Sequence, residues 1–313
     1  LTATRTAPTD FTAASTASST TTWNTTTTTD GTHNLTITVV DSTGRTTTST
    51  PTTVTVDNSA PTGSIVSPAA AAIVSSAANI SVATSVSDTY SGITGVTLLV
   101  DGAQAAQSVL PGSSLSVTPT LTWNPAGISN GTHTLQLSFT DAQGNTGTSP
   151  QVSVQVDGTP PSTAAITSPT SSTTLDGDTT IPISYTATDA DTSIASITLL
   201  VDGASTTTIT PGQPLTWDAT TTTDGTHTLA IRATDQAGNS LTGSAITVYT
   251  DKTAPTSATI SSPTAGSTLA GTVTVSGAGA DNRLVSELRF YLDGALTATR
   301  TAPTDFTAAS TAS

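Results

Sequence analysis

The sixteen residues DGTHTLAIRATDQAGN at positions 224–239 decide the fold. After the Asp-Gly-Thr-His start, Leu229, Ile231 and Ala233 alternate with polar residues, which predicts a strand with one buried face. Asp235 then opens a short turn, and Gly238 suits the positive φ that a three- to five-residue hairpin loop needs. The pattern returns as DGTHNLTITVVDSTGR at 30–45 and as NGTHTLQLSFTDAQGN at 130–145. There the alternating residues are Leu35, Ile37, Val39 and Leu135, Leu137, Phe139. One structural unit is being repeated.

Downstream of each turn a second strand is predicted to end at Val56-Asp57, Val156-Asp157 and Thr250-Asp251. SAPT, TPPS and TAPT follow, and Pro61, Pro161 and Pro255 mark them as linkers. A further strand carries Ile65, Ile166 or Ile260 and stops at Pro68, Pro169 or Pro263. Another carries Val96, Leu98, Val100, then Ile197, Leu199, Val201, then Leu288, Phe290, Leu292. Each time it closes on Asp-Gly, at Asp101, Asp202 and Asp293, a turn signal. About seven strands per roughly 100 residues, with no helical period, predict an all-β sandwich.

Two units are expected to be complete, 58–157 and 158–251. A third is split: residues 252–313 supply its N-terminal part and residues 1–57 the C-terminal part. The split follows from a longer repeat, because LTATRTAPTDFTAASTAS stands both at 1–18 and at 296–313, a period of 295 residues. Two accounts follow. Either the chain is one period of a continuous giant polypeptide, which is the simpler account, or separate subunits complete one another head to tail. In both, the partners are neighbouring copies of itself and the object is a long fibre.

Composition narrows the function. Seven Lys and Arg against 21 acids give a net charge of −14, too few cations to neutralise a phosphate backbone, so nucleic-acid binding is excluded. The absence of Cys excludes thiolate metal sites and disulfides. No run of 18 apolar residues predicts membrane insertion of this segment. Abundant Thr and Val, stiff at χ1, favour pleated strands.

The succession VDG…W…DGTHTL…D-x-x-GN…VD-x-T-x-P resembles the bacterial Ig-like (Big) domains of large surface proteins and adhesins, over essentially the whole chain. The resemblance implies tandem immunoglobulin-like sandwiches arranged end to end, about three per 295-residue period. It also implies an extracellular, cell-surface location and a spacer role in a stalk or filament. Any surface glycan or host ligand is then expected elsewhere in the full protein. A binding module that takes carbohydrate or a host surface through its loops is the alternative.

His33, His133 and His227 occupy one equivalent position per repeat, as do Trp23, Trp123 and Trp217. Residues a domain apart do not converge on a catalytic centre, so the histidines are expected to pack strand starts and the tryptophans to fill cores. No nucleophile, zinc or phosphate-binding motif is present, and a non-enzymatic chain is expected. Lys252 is the single lysine, which rules out a Lys–Asn crosslink in every domain.

The aspartates carry a sharper expectation. Stacked sandwiches would bring the last strand of one domain beside two loops of the next. That groups Asp57 with Asp88 and Asp141, and Asp157 with Asp189, Asp191 and Asp235. The third group is Asp251 with Asp281 and, from the completing half, Asp41. Converging carboxylates suit Ca²⁺, which takes six to eight oxygen ligands. Asp also favours turns on its own account.

Overall fold

The computed structural model describes residue 4 and residues 16–302. The outer parts of the two partial domains expected at 1–57 and 252–313 therefore lie outside the described residues. The chain divides into two units, Leu1–Thr159 and Pro160–Ser313. Each contains one complete β-sandwich.

In the first unit the long strand Gly131–Asp141 is the middle of the larger sheet. Its neighbours are Ile93–Val100, which pairs onward with Ala103–Val109, and Val152–Asp157, which pairs in parallel with Ile73–Ser75. Thr146–Thr148 folds back on the far end of the long strand. The register sets Leu135 opposite Val100, Leu137 opposite Leu98 and Phe139 opposite Val96. All six are buried, together with Val82, Val86, Leu121 and Trp123 of the second sheet. That sheet is built on Ile80–Ser87, which pairs with Thr62–Ser67, Ser116–Val117 and Thr120–Trp123. Each large apolar side chain so buried contributes about 1.5–3 kcal/mol, which is what a chain without disulfides must rely on.

The second unit repeats this plan. Gly225–Asp235 lies between Ile194–Val201 and Ile246–Asp251, facing a sheet of Thr163–Ser168, Thr180–Thr188 and Leu215–Asp218. Its core holds Ile197, Leu199, Leu229, Ile231, Trp217 and Val248. The Asp-Gly pairs form two-residue hairpin turns: Val100 pairs with Ala103, Val201 with Ala204 and Leu292 with Ala295. Both turn residues have positive φ, 50° and 81° at Asp101-Gly102, matching the right-handed strand twist.

The partial domains keep the local pairings. Gly31–Leu35 pairs with Thr52–Val56 in the register of the intact repeats, and Thr38–Val40 pairs with Thr46–Thr48. At the other end, Ser257–Ser262 pairs with Ser276–Ala280, and Glu287–Leu292 with Ala295–Thr301. The only helical segments among the described residues are two 3₁₀ turns, Thr25–Thr27 and Ala219–Thr221. The chain is all-β, made of tandem Ig-like sandwiches.

Candidate metal centre

Three carboxylates of the first unit converge. Asp57 follows the last strand of the N-terminal partial domain, Asp88 follows Ile80–Ser87, and Asp141 ends the long strand. Each offers an oxygen, and the three oxygens lie within 4.8 Å of one another.

Local chemistry fixes each carboxylate. Asp88 Oδ1 accepts from the backbone N–H groups of Tyr90 (2.8 Å) and Ser91 (3.0 Å). Asp57 Oδ1 accepts from the Ser59 N–H (3.1 Å). Asp141 is only 2% exposed. Its Oδ1 accepts from the Gln143 and Asn145 N–H groups (2.8 and 2.9 Å), and its Oδ2 from the Asn145 side-chain amide (2.8 Å). Burial pushes the Asp141 carboxyl up, but the hydrogen bonds from Asn145 and Gln143 outweigh it and hold it below the usual carboxylate range. It is therefore charged at neutral pH.

Two buried atoms beside these carboxylates are unsatisfied. Neither Asp57 Oδ2 nor Ser91 Oγ has a hydrogen-bond partner. An unsatisfied buried oxygen costs about 1–3 kcal/mol. Among the described residues no Lys, Arg or His makes an ion pair with any of the three aspartates. Oxygens at Ca²⁺ distances of about 2.3–2.6 Å on opposite sides of one ion stand about 4.6–5.2 Å apart, so a 4.8 Å spread fits.

The second unit places Asp189 and Asp235 in the same way. Their carboxylate oxygens lie within 4.8 Å of each other, and Asp189 Oδ2 is buried without a partner. Asp189 Oδ1 accepts from the N–H groups of Asp191 (2.9 Å) and Thr192 (2.7 Å), so Asp191 enters as a backbone donor. Asp235 is 1% exposed and held by Asn239. Asp157 ends the strand Val152–Asp157, fully buried, and accepts from the Thr159 N–H (3.0 Å) and the Asn130 amide (3.4 Å).

Of the third expected group, Asp251 accepts from the Thr253 N–H and Asp281 from the Arg283 N–H. Asp41 bonds to Thr43 and Arg45, whose guanidinium takes the place of the Asn amide in the other repeats. These bonds, led by the Thr43 hydroxyl, lower its carboxyl to about 2.

The histidines tie strand starts to turns. His133 Nε2 meets the Ser129 carbonyl (2.9 Å) and Nδ1 meets Asp101 Oδ2 (2.6 Å). His227 repeats this with Thr223 (2.8 Å) and Asp202 (2.7 Å), and its ring packs edge-on against Trp217. The hydrogen bond that His133 donates to Asp101 raises the affinity of the ring for its proton. Burial lowers that of His227, but Asp202 and the Thr223 carbonyl outweigh it. Trp123 and Trp217 lie in the cores, and Trp23 donates its indole N–H to Thr28 Oγ1 (3.1 Å). Sequence reasoning read Asp101 and Asp202 only as turn formers. The missed signal was that each recurs once per repeat together with a His.

The bacterial Ig domain family model matches residues 61–137, 163–231 and 255–313. The chain belongs to the bacterial Ig domain family. Similar solved structures include the fibronectin(III)-like modules of Clostridium thermocellum CbhA, 19% identical, covering 60% of this chain and 93% of that one, with a TM-score of 0.42. A structure from a 1.5-MDa bacterial ice-binding adhesin is 19% identical, covering 71% of this chain and 74% of that one, with a TM-score of 0.35. Among curated proteins no sequence matches this chain. No helix among the described residues is long and apolar enough to cross a membrane.

Proposed function

We propose that these tandem Ig domains form a non-catalytic extracellular spacer, the stalk of a surface adhesin or the shaft of a filament, and that Ca²⁺ stiffens it. The convergence of Asp57, Asp88 and Asp141 around the unsatisfied buried Asp57 Oδ2 carries the reading. Asp57 comes from the end of one domain, Asp88 and Asp141 from loops of the next. An ion bridging them holds the linker at 58–61 to one geometry. Three carboxylates supply at most six oxygens, and water completes the shell. The repeat carries equivalent residues at Asp157, Asp189 and Asp235. Solution scattering with Ca²⁺ and with EDTA tests the reading: a larger maximum dimension in Ca²⁺ is expected. Superimposable profiles, with no heat of Ca²⁺ binding, would overturn it.

A further inference from the structure

The first residue of the Asp/Asn-Gly-Thr-His stretch reaches forward to the linker in all three repeats. Asp30 Oδ1 accepts the N–H of Asn58 (2.8 Å), Asn130 Oδ1 that of Gly158 (2.9 Å) and Asp224 Oδ1 that of Lys252 (3.1 Å), each 28 residues further on. The other polar atom of the same side chain meets the hydroxyl of the next residue. Ser59 Oγ donates to Asp30 Oδ2, and Thr253 Oγ1 donates to Asp224 Oδ2 (2.9 Å). At Asn130 the polarity reverses: the amide Nδ2 donates to Thr159 Oγ1 (3.0 Å), and the two-bond geometry is kept. The last-strand aspartates add a third bond. Asp57, Asp157 and Asp251 accept through Oδ1 the N–H groups of Ser59, Thr159 and Thr253 (3.1, 3.0 and 3.1 Å). Two consecutive linker residues are thus fastened to the sandwich they leave, by groups that need no ion.

We propose that Asp30, Asn130 and Asp224 are the positioning residues of the linkers, fixing the path by which the chain leaves each sandwich whether or not a cation is bound. The inference rests on the reading of the chain as a spacer, not on Ca²⁺. Domains joined by a free linker swing relative to one another, and holding two linker residues removes part of that freedom. Asn130 fills the role as Asp30 and Asp224 do, so the requirement is two bonds rather than a charge. At the third linker the clamp extends beyond its own sandwich: Asn282 donates its amide to Asp224 Oδ2 (3.4 Å) and to Thr253 Oγ1 (3.3 Å). Holding Asp57 by Oδ1 also leaves its buried, unpartnered Oδ2 to the carboxylate cluster.

Lys252 is the single lysine and stands inside the clamp, so a lysine-specific endoprotease can cut the full chain only after it. Its Nζ is held by the Thr220 and Thr222 carbonyls (3.1 and 2.6 Å), and cleavage therefore requires the linker to open. In EDTA, Asp224→Ala is expected to be cut about tenfold faster than the parent. Asp224→Asn, which carries the side chain used at position 130, is expected to be cut at the parent's rate. Thermal melts of both variants show whether the second sandwich stays folded. Amide exchange of the unsubstituted chain, also in EDTA, gives a reading that needs no variant: the N–H groups of Asn58, Gly158 and Lys252 are expected to be protected. Should Asp224→Ala unfold, that exchange decides. Cleavage of a folded Asp224→Ala at the parent's rate, cleavage of Asp224→Asn as fast as Asp224→Ala, or exchange of the three N–H groups at the rate of an unstructured chain would each overturn the proposal. Scattering that does not respond to Ca²⁺ would remove the ion's role and leave the clamp standing.

Discussion

Asp88→Asn is expected to stabilise the first unit in EDTA and to destabilise it in Ca²⁺. The oxygens of Asp57, Asp88 and Asp141 lie within 4.8 Å of one another. Two unit charges at that distance repel by about 3.5 kcal/mol at an effective dielectric near 20. Three pairs approach ~10 kcal/mol, comparable with the entire stability of a domain. Asp57 and Asp88 are only half-buried, so water and salt reduce the sum to about 1–3 kcal/mol. Asn at position 88 removes two of the three repulsions, so in EDTA the variant is expected to melt about 5 °C or more above the parent.

Ca²⁺ inverts the comparison. At a hundred times Kd it stabilises the parent by about 2.7 kcal/mol, a rise in Tm of about 10–20 °C for a domain of this size. The variant offers a neutral amide in place of one carboxylate and binds more weakly, so it is expected to fall below the parent. Circular-dichroism melts of both proteins in EDTA and in millimolar CaCl₂ decide the matter. Parallel melting curves, with the variant on the same side of the parent in both buffers, would refute the reasoning.

The His–Asp pairs give a pH window. His133 and His227 hold their protons more tightly than the ordinary 6.5, so their contribution is complete below about 6.5 and is lost as pH rises through the folded values. Asp101 and Asp202 are held below 3.8, so theirs is present above about 3.8 and is lost as pH falls through the folded values. Tm is therefore expected to fall as pH rises above about 6.5, and Asp202→Asn is expected to flatten that slope in the second unit. Phe139→Ala, at a fully buried site, is expected to cost about 3–5 kcal/mol, read as the midpoint of urea unfolding. Gly203→Ala places a β-carbon at φ 80° and is expected to cost about 1–2 kcal/mol in the same assay.

The strands were legible because their signal is local. Leu135, Leu137 and Phe139 alternate on one short segment, and a period of two forces them to one face whatever the rest of the chain does. The Asp-Gly hairpins were legible for the same reason. The carboxylate cluster required a global assumption, the order of loops in a sandwich, and that assumption selects Asp57, Asp88 and Asp141 from positions 31 and 53 residues apart. It could not separate Asp189 from Asp191. Both lie in one loop, and only the backbone path decides that one presents its carboxylate and the other its N–H. The His133–Asp101 bond was illegible because it spans 32 residues and depends on strand register.

That bond changes how the Asp-Gly turn should be understood. Asn-Gly would make the same hairpin with less strain, since both favour positive φ. Asp101 instead accepts from the Thr134 N–H (2.8 Å) and the His133 ring at once, fastening the hairpin to the long strand. A local turn is thereby coupled to a non-local pairing, and positive φ at a non-Gly residue is offset only when that pairing forms. Asp293 holds the same φ in a half-domain. Asp101→Asn keeps the turn but removes the charged acceptor of the His133 ring, and is therefore expected to cost the first unit about 1–2 kcal/mol, read as the midpoint of urea unfolding at pH 6. Equal midpoints for the variant and the parent would show that the turn and the strand are not coupled through this carboxylate.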